Sequence, residues 1–139
     1  WYTSDEDVGV YADQVVAAIE SGVISMIAHP SYFMLGRKTW SEACSEAAHR
    51  ICKAAEDHNV PLEINLKGTK YGKGNYNGIE SYRYPNLLFW KIASTYKIKA
   101  IIGADAHAPI YLHEMDFFKT LEKDFKDLGI EMIDRLEFK

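Results

Sequence analysis

Apolar and polar positions alternate along this chain with two different periods. Four short apolar runs have the length and β-branched content of buried strands: residues 23–28 (VISMIA), 60–64 (VPLEI), 98–102 (IKAII) and 130–133 (IEMI). Between and before them the apolar positions recur at helical spacing. Residues 8–21 put Val8, Tyr11, Val15, Ala18 and Ile19 on one face, with Gly22 as a stop. Residues 41–58 open on a serine, turn Ala43, Ala47, Ile51 and Ala54 inward, and end before Pro61. Residues 85–96 begin with a proline in the first turn and offer Leu88, Phe89, Ile92 and Ala93. Residues 114–128 offer Phe117, Phe118, Leu121 and Phe125, closed by Gly129.

Helix and strand therefore alternate four times. Short apolar strands separated by long helices imply parallel pairing through crossovers, hence a parallel α/β sheet or part of a β/α barrel. One long segment has neither period. Residues 66–84 (LKGTKYGKGNYNGIESYRY) read as a loop, and a loop of this length in a compact domain is usually functional or mobile.

The strand ends carry the chemistry. The first run leads into His29-Pro30, the second ends with Glu63 and Asn65 two apart, and the third leads through Gly103 to Asp105 and His107, again two apart. In a parallel sheet every carboxyl end opens on one rim, where such folds place their sites. His29, Glu63, Asn65, Asp105 and His107 are thus expected at one edge. Imidazoles and carboxylates there suit a divalent cation such as zinc, manganese or iron, whose charge offsets the burial of an aspartate. Each histidine at a strand end has a plainer reading as a hydrogen-bonded structural residue. It is the convergence of three ends that favours a site. His49 and His58 belong to a helix, and His113 opens another. Lys67, Lys70 and Lys73 are most simply a solvated stretch; the alternative is that one of them, Lys67 for instance, or Arg83 holds a substrate phosphate.

At 139 residues the chain has the length of one domain, and 47% hydrophobic with 26% charged residues is ordinary for a globular protein. A net charge of −4 argues against nucleic acid as the main partner. No apolar run approaches a membrane span and no leader pattern is visible, so a cytoplasmic protein is expected. Cys44 and Cys52 are eight residues apart in one predicted helix, a rise of about 12 Å, too far for a disulfide; packing thiols are expected. No phosphate-binding glycine motif precedes a helix, and neither cysteine is placed as a nucleophile.

HPSYFM at 29–34, PLEIN at 61–65 and GADAH at 103–107, in that order, resemble the later motifs of the PHP (polymerase and histidinol phosphatase) superfamily, and most of all its histidinol-phosphatase-like members. The likeness covers nearly the whole chain. It implies a distorted, TIM-like β/α barrel that holds two or three divalent ions and hydrolyses a small phosphate monoester, as in histidine biosynthesis. By motif, His29, Asp105 and His107 match metal ligands, the last two at the catalytic centre. Glu63 and Asn65 match supporting or substrate-contacting positions. In the family's mechanism a metal-bound hydroxide attacks phosphorus while the ions neutralise its oxygens.

The departures matter equally. The family's opening H-x-H, a further histidine and a bridging glutamate are missing, and about four strands are too few to close the barrel. The expectation is a single partial domain, residues 1–139, forming the C-terminal half of such an enzyme. The chain's start at Trp1 fits that expectation. Alone, such a chain should be nearly inactive and prone to self-association through an open sheet edge. Serine in place of the family's usual aspartate after HP leaves the subfamily open, and the glycine- and lysine-rich stretch leaves the substrate open. Barrel rims host many chemistries and the opening motif is missing, which keeps two other classes in play, a different metal-dependent hydrolase or a non-catalytic PHP-like module for binding or assembly.

Overall fold

The computed structural model describes residues 3–65, 71–103 and 127–133. Helix α1 (Asp5–Glu20) opens the chain. Its N-terminus begins earlier than the apolar period suggests, because Ser4 and Asp7 form a reciprocal capping box. The Ser4 N–H donates to Asp7 Oδ2 at 3.0 Å and the Asp7 N–H to Ser4 Oγ at 3.1 Å. Val8, Ala12 and Ile19 are its buried stripe. Helix α2 (Glu42–His58) ends on Asn59 in the left-handed conformation and buries Cys44, Ala47, Ala48, Ile51, Cys52, Ala54 and Ala55. Both cysteines are free and fully buried, and burial pushes the Cys52 thiol well above its usual range. α1 and α2 pack against each other along their lengths.

A 3₁₀ helix (Tyr32–Gly36) lies between them. Here the Thr3 N–H donates to the Gly36 carbonyl at 3.0 Å, and Thr3 sits so close that a side chain at position 36 has no room. Arg37, 2% exposed, gathers this corner: Nη1 donates to Thr3 O at 2.8 Å, while Nη2 donates to Asp5 Oδ1 at 2.7 Å and to Ser41 Oγ at 3.1 Å.

Three strands form a parallel sheet in the order β1 (Leu62–Asn65), β4 (Lys99–Gly103), β5 (Glu131–Ile133). Leu62 pairs with Ala100 and Asn65 with Gly103. Leu62, Ile64 and Ala100 are fully buried on the core side. The expected strand at 23–28 shrinks to one bridge, Ile27 to Leu62, which is parallel as foreseen. The Ile27 N–H donates to Pro61 O and its carbonyl accepts from the Glu63 N–H. Val23, upstream of the bridge, is 84% exposed.

Two further expectations need correction. The 66–84 stretch is not all loop: β2 (Lys73–Tyr76) and β3 (Ile79–Tyr82) form an antiparallel hairpin. Asn77 and Gly78 turn it, both with positive φ (54° and 85°), as a two-residue primed turn requires. Tyr76 is buried beneath the hairpin, and Lys73 faces Tyr82 across it, its Nζ 5.0 Å from the ring centre. Helix α3 (Leu87–Ala93) is also shorter than the pattern at 85–96. Pro85 stands outside it after a cis Tyr84–Pro85 bond, and Asn86 is the N-cap, accepting from the Leu88 N–H at 3.0 Å. Phe89, Trp90 and Ala93 are fully buried. The helix expected at 114–128 falls outside the described residues up to 126; Gly129, with φ 81°, does lie in a turn.

The described part is therefore mixed α/β, with one apolar core joining the helices to β1 and β4. Among the described residues no helix is long and apolar enough to cross a membrane.

Acid should loosen the N-terminal end of α1. The Ser4 backbone N–H and then its hydroxyl hold Asp7 below the ordinary 3.8. The Ser41 hydroxyl and then Arg37 hold Asp5 below it too. Both groups have folded values below their unfolded ones, so their contribution is complete above 3.8 and is lost as pH falls through the lower folded values. Far-ultraviolet ellipticity followed from neutral to acid pH is expected to show this loss, and Asp7→Asn should flatten it; an unchanged acid limb in that variant would contradict the assignment.

Candidate functional site

The rim begins with a turn. The Tyr32 N–H donates to the His29 carbonyl at 2.9 Å, which closes His29-Pro30-Ser31-Tyr32 into a β-turn. Pro30 occupies the second position, which its fixed φ suits, and Ser31 has φ −96° and ψ 16°, near the type I value for the third. Ser31 is 1% exposed, and its Oγ accepts from the Asn86 N–H at 3.0 Å, tying the turn to the start of α3.

His29 itself has φ 32°, a left-handed value that costs a non-glycine residue roughly 1–3 kcal/mol and persists only where its surroundings enforce it. The His29 N–H donates to Glu63 Oε1 at 3.2 Å. The same oxygen accepts from Asn65 Nδ2 at 2.8 Å, so Glu63 and Asn65 do share one side of β1. Tyr11, from α1, donates its hydroxyl to the His29 carbonyl at 3.3 Å. Burial raises the Tyr11 phenol well above its usual range, with a lesser push from Tyr32, so it stays a donor at any physiological pH.

Aromatic rings enclose the imidazole. Tyr32 stacks on His29 at 4.7 Å between ring centres and Tyr84 meets it edge-on at 5.8 Å. Tyr84 also touches Tyr32 at 5.2 Å and Tyr71 at 5.8 Å, and Tyr71 is 44% exposed at the outer end. Within this enclosure Nδ1 of His29 is shut off from solvent and has no hydrogen-bond partner among the described residues. A buried ring nitrogen left unpaired is costly, so this atom is suited to ligation or to a further partner at the rim.

Of the residues expected at the rim, His29, Glu63 and Asn65 do come together. Asp105, His107 and Lys67 lie outside the described residues. The last described residue before Asp105 in β4 is Gly103, which pairs with Asn65. Arg83 is half-buried and donates from Nη1 to the Leu35 carbonyl at 2.8 Å, so one of its donors serves the frame. His49 is exposed on α2, 2.7 Å from the Tyr96 hydroxyl and apart from the rim.

Among the described residues no group of three or more His, Cys, Asp or Glu side chains could hold a metal ion. His29 with its unpartnered nitrogen fits such a group as one ligand. Glu63 does not fit as a second through Oε1, which is engaged by two donors. Sequence reasoning missed Tyr11, Tyr32 and Tyr84. The helical period assigned Tyr11 only to the core, Tyr32 lay inside the HPSYFM motif without a role of its own, and Tyr84 fell in the stretch read as loop. Compared with protein-family models, with curated proteins and with solved structures, the chain has no match in any of the three.

Proposed function

We propose that this chain is the C-terminal part of a metal-dependent phosphoesterase of the PHP type, which hydrolyses a small phosphate monoester resembling histidinol phosphate. His29, Asp105 and His107 are the metal ligands, and Glu63 with Asn65 supports them. One observation carries this reading: the His29 ring nitrogen is buried without a hydrogen-bond partner among the described residues, at the carboxyl end of a segment bridged in parallel to β1. Further support comes from the alignment of Asn65 with Gly103, two residues before Asp105 in the chain. A bound divalent ion supplies positive charge for phosphoryl oxygens and acidifies water. Tyr32 and Tyr84 keep bulk water from the imidazole, and Glu63 fixes the backbone that carries it.

The chain alone, with few ligands, is expected to bind metal weakly and to hydrolyse phosphate esters negligibly. Isothermal titration with Mn²⁺ and with Zn²⁺ tests the assignment. Binding should weaken by about tenfold or more in each of His29→Ala, Asp105→Asn and His107→Ala, on the scale seen when metal sites are disturbed. Affinity left unchanged in all three variants would refute the proposal.

A further inference from the structure

His29 is held by its backbone from two sides, and neither holder belongs to the ligand set. The N–H is taken by the Glu63 carboxylate of β1 at 3.2 Å. The carbonyl is taken at 3.3 Å by the Tyr11 hydroxyl of α1, in addition to the Tyr32 N–H that closes the turn. The residue between them has φ 32°, an uncommon conformation for any residue but glycine.

We propose that Tyr11 and Glu63 are positioning residues, which clamp the main chain of His29 in its left-handed conformation and so fix the direction in which the imidazole is presented. Each anchor is rigid for its own reason. Tyr11 leans on the Phe33 ring at 5.6 Å between centres, within the helix whose buried stripe packs on α2. Glu63 lies between Leu62 and Ile64, both fully buried in the paired strand, and its Oε1 is steadied by Asn65. If the clamp opens at either end, φ of His29 returns towards negative values and the ring leaves its place against Tyr32 and Tyr84. Asn65 thereby has a purpose too: by donating to Glu63 it sets the carboxylate towards the His29 N–H.

The existence of the clamp stands on these contacts alone, whereas its use in orienting a metal ligand rests on the phosphoesterase reading. Two measurements keep the parts separate. In the metal-free chain, Glu63→Ala should speed hydrogen exchange of the His29 amide by roughly tenfold, as expected for a lost bond to a charged acceptor, while amides of the α2 interior stay unchanged. Glu63→Gln, which keeps an acceptor oxygen, should restore most of the protection. Tyr11→Phe, a change of one hydroxyl, should shift the His29 ring proton signals without altering thermal stability appreciably. If His29 amide exchange and ring signals are the same in Glu63→Ala and Tyr11→Phe as in the parent chain, the clamp is refuted. Titration with Mn²⁺ then reads its use. Affinity should fall by about tenfold in Glu63→Ala and Tyr11→Phe, and recover in Glu63→Gln. Shifted ring signals with Mn²⁺ binding unaffected would retain the clamp and overturn its role towards metal. Absence of Mn²⁺ binding in every form, the parent included, would overturn that role together with the phosphoesterase reading.

Discussion

Replacing Trp90 by alanine is expected to destabilise the chain by about 3–5 kcal/mol, the range for an aromatic side chain removed from a packed interior. Trp90 is fully buried in α3 and is the largest completely buried side chain among the described residues. Its ring meets Phe89 at 5.5 Å in a T-shaped contact, and both rings belong to the one apolar core, with α3 packed against α2. At only seven residues, α3 has little stability of its own and depends on what it buries. A loss of this size is a large fraction of the total, which for a domain is about 5–15 kcal/mol. The urea midpoint of Trp90→Ala against the parent chain measures it, and Trp90→Phe should cost markedly less. A change below about 1 kcal/mol would mean that the ring is not packed as described.

Arg37→Ala is expected to cost about 2–3 kcal/mol, the scale of hydrogen bonds made by a charged donor. The larger penalty for breaking a fully buried ion pair does not apply, because Asp5 is 62% exposed and water can take over its charge. The loss comes instead from the Thr3 carbonyl, from Ser41 and from the stem packed in this corner. Lysine has no planar fork, so Arg37→Lys should recover less than half. Function is exposed to the same change. Arg37 follows directly on the 3₁₀ helix that carries Tyr32, whose ring lies on His29, so the variant should also disturb the imidazole signals. Unaltered denaturation with unaltered ring signals would show that Arg37 is a passenger.

The parallel frame is legible in the sequence because its strands are short, apolar-rich runs set between helical periods. Leu62, Ile64 and Ala100 are fully buried, and a run of that kind has few other places to go. Residues 23–28 look the same on paper but lie beside β1 with one bridge only, since pairing depends on neighbours that a linear pattern does not display. The hairpin escaped for the opposite reason. Lys73, Asn75 and Glu80 face water, leaving little apolar alternation, and the informative signal was the Asn77-Gly78 pair alone. At the rim, the two-residue spacing of Glu63 and Asn65 did place them on one side. What these side chains hold is not encoded in spacing. Glu63 grips a main-chain N–H 34 residues upstream, and Tyr11 reaches a carbonyl from a helix whose period marks it only as apolar. Arg37 gives no pattern at all, as one basic residue in an irregular stretch. Asp105, His107 and Lys67 lie outside the described residues, so their part in the rim stays with the proposal.

The crossover from β1 to β4 contains both the hairpin and α3. Within it α3 buries Phe89 and Trp90 and the hairpin buries Tyr76, while the ribbon turns at exposed Asn77 and Gly78. The ribbon's flanks supply Tyr71 and Tyr84, the outer rings of the wall around His29. Change confined to the exposed Asn77-Gly78 tip can therefore lengthen or recolour the ribbon while Tyr76 and the frame beneath keep their places.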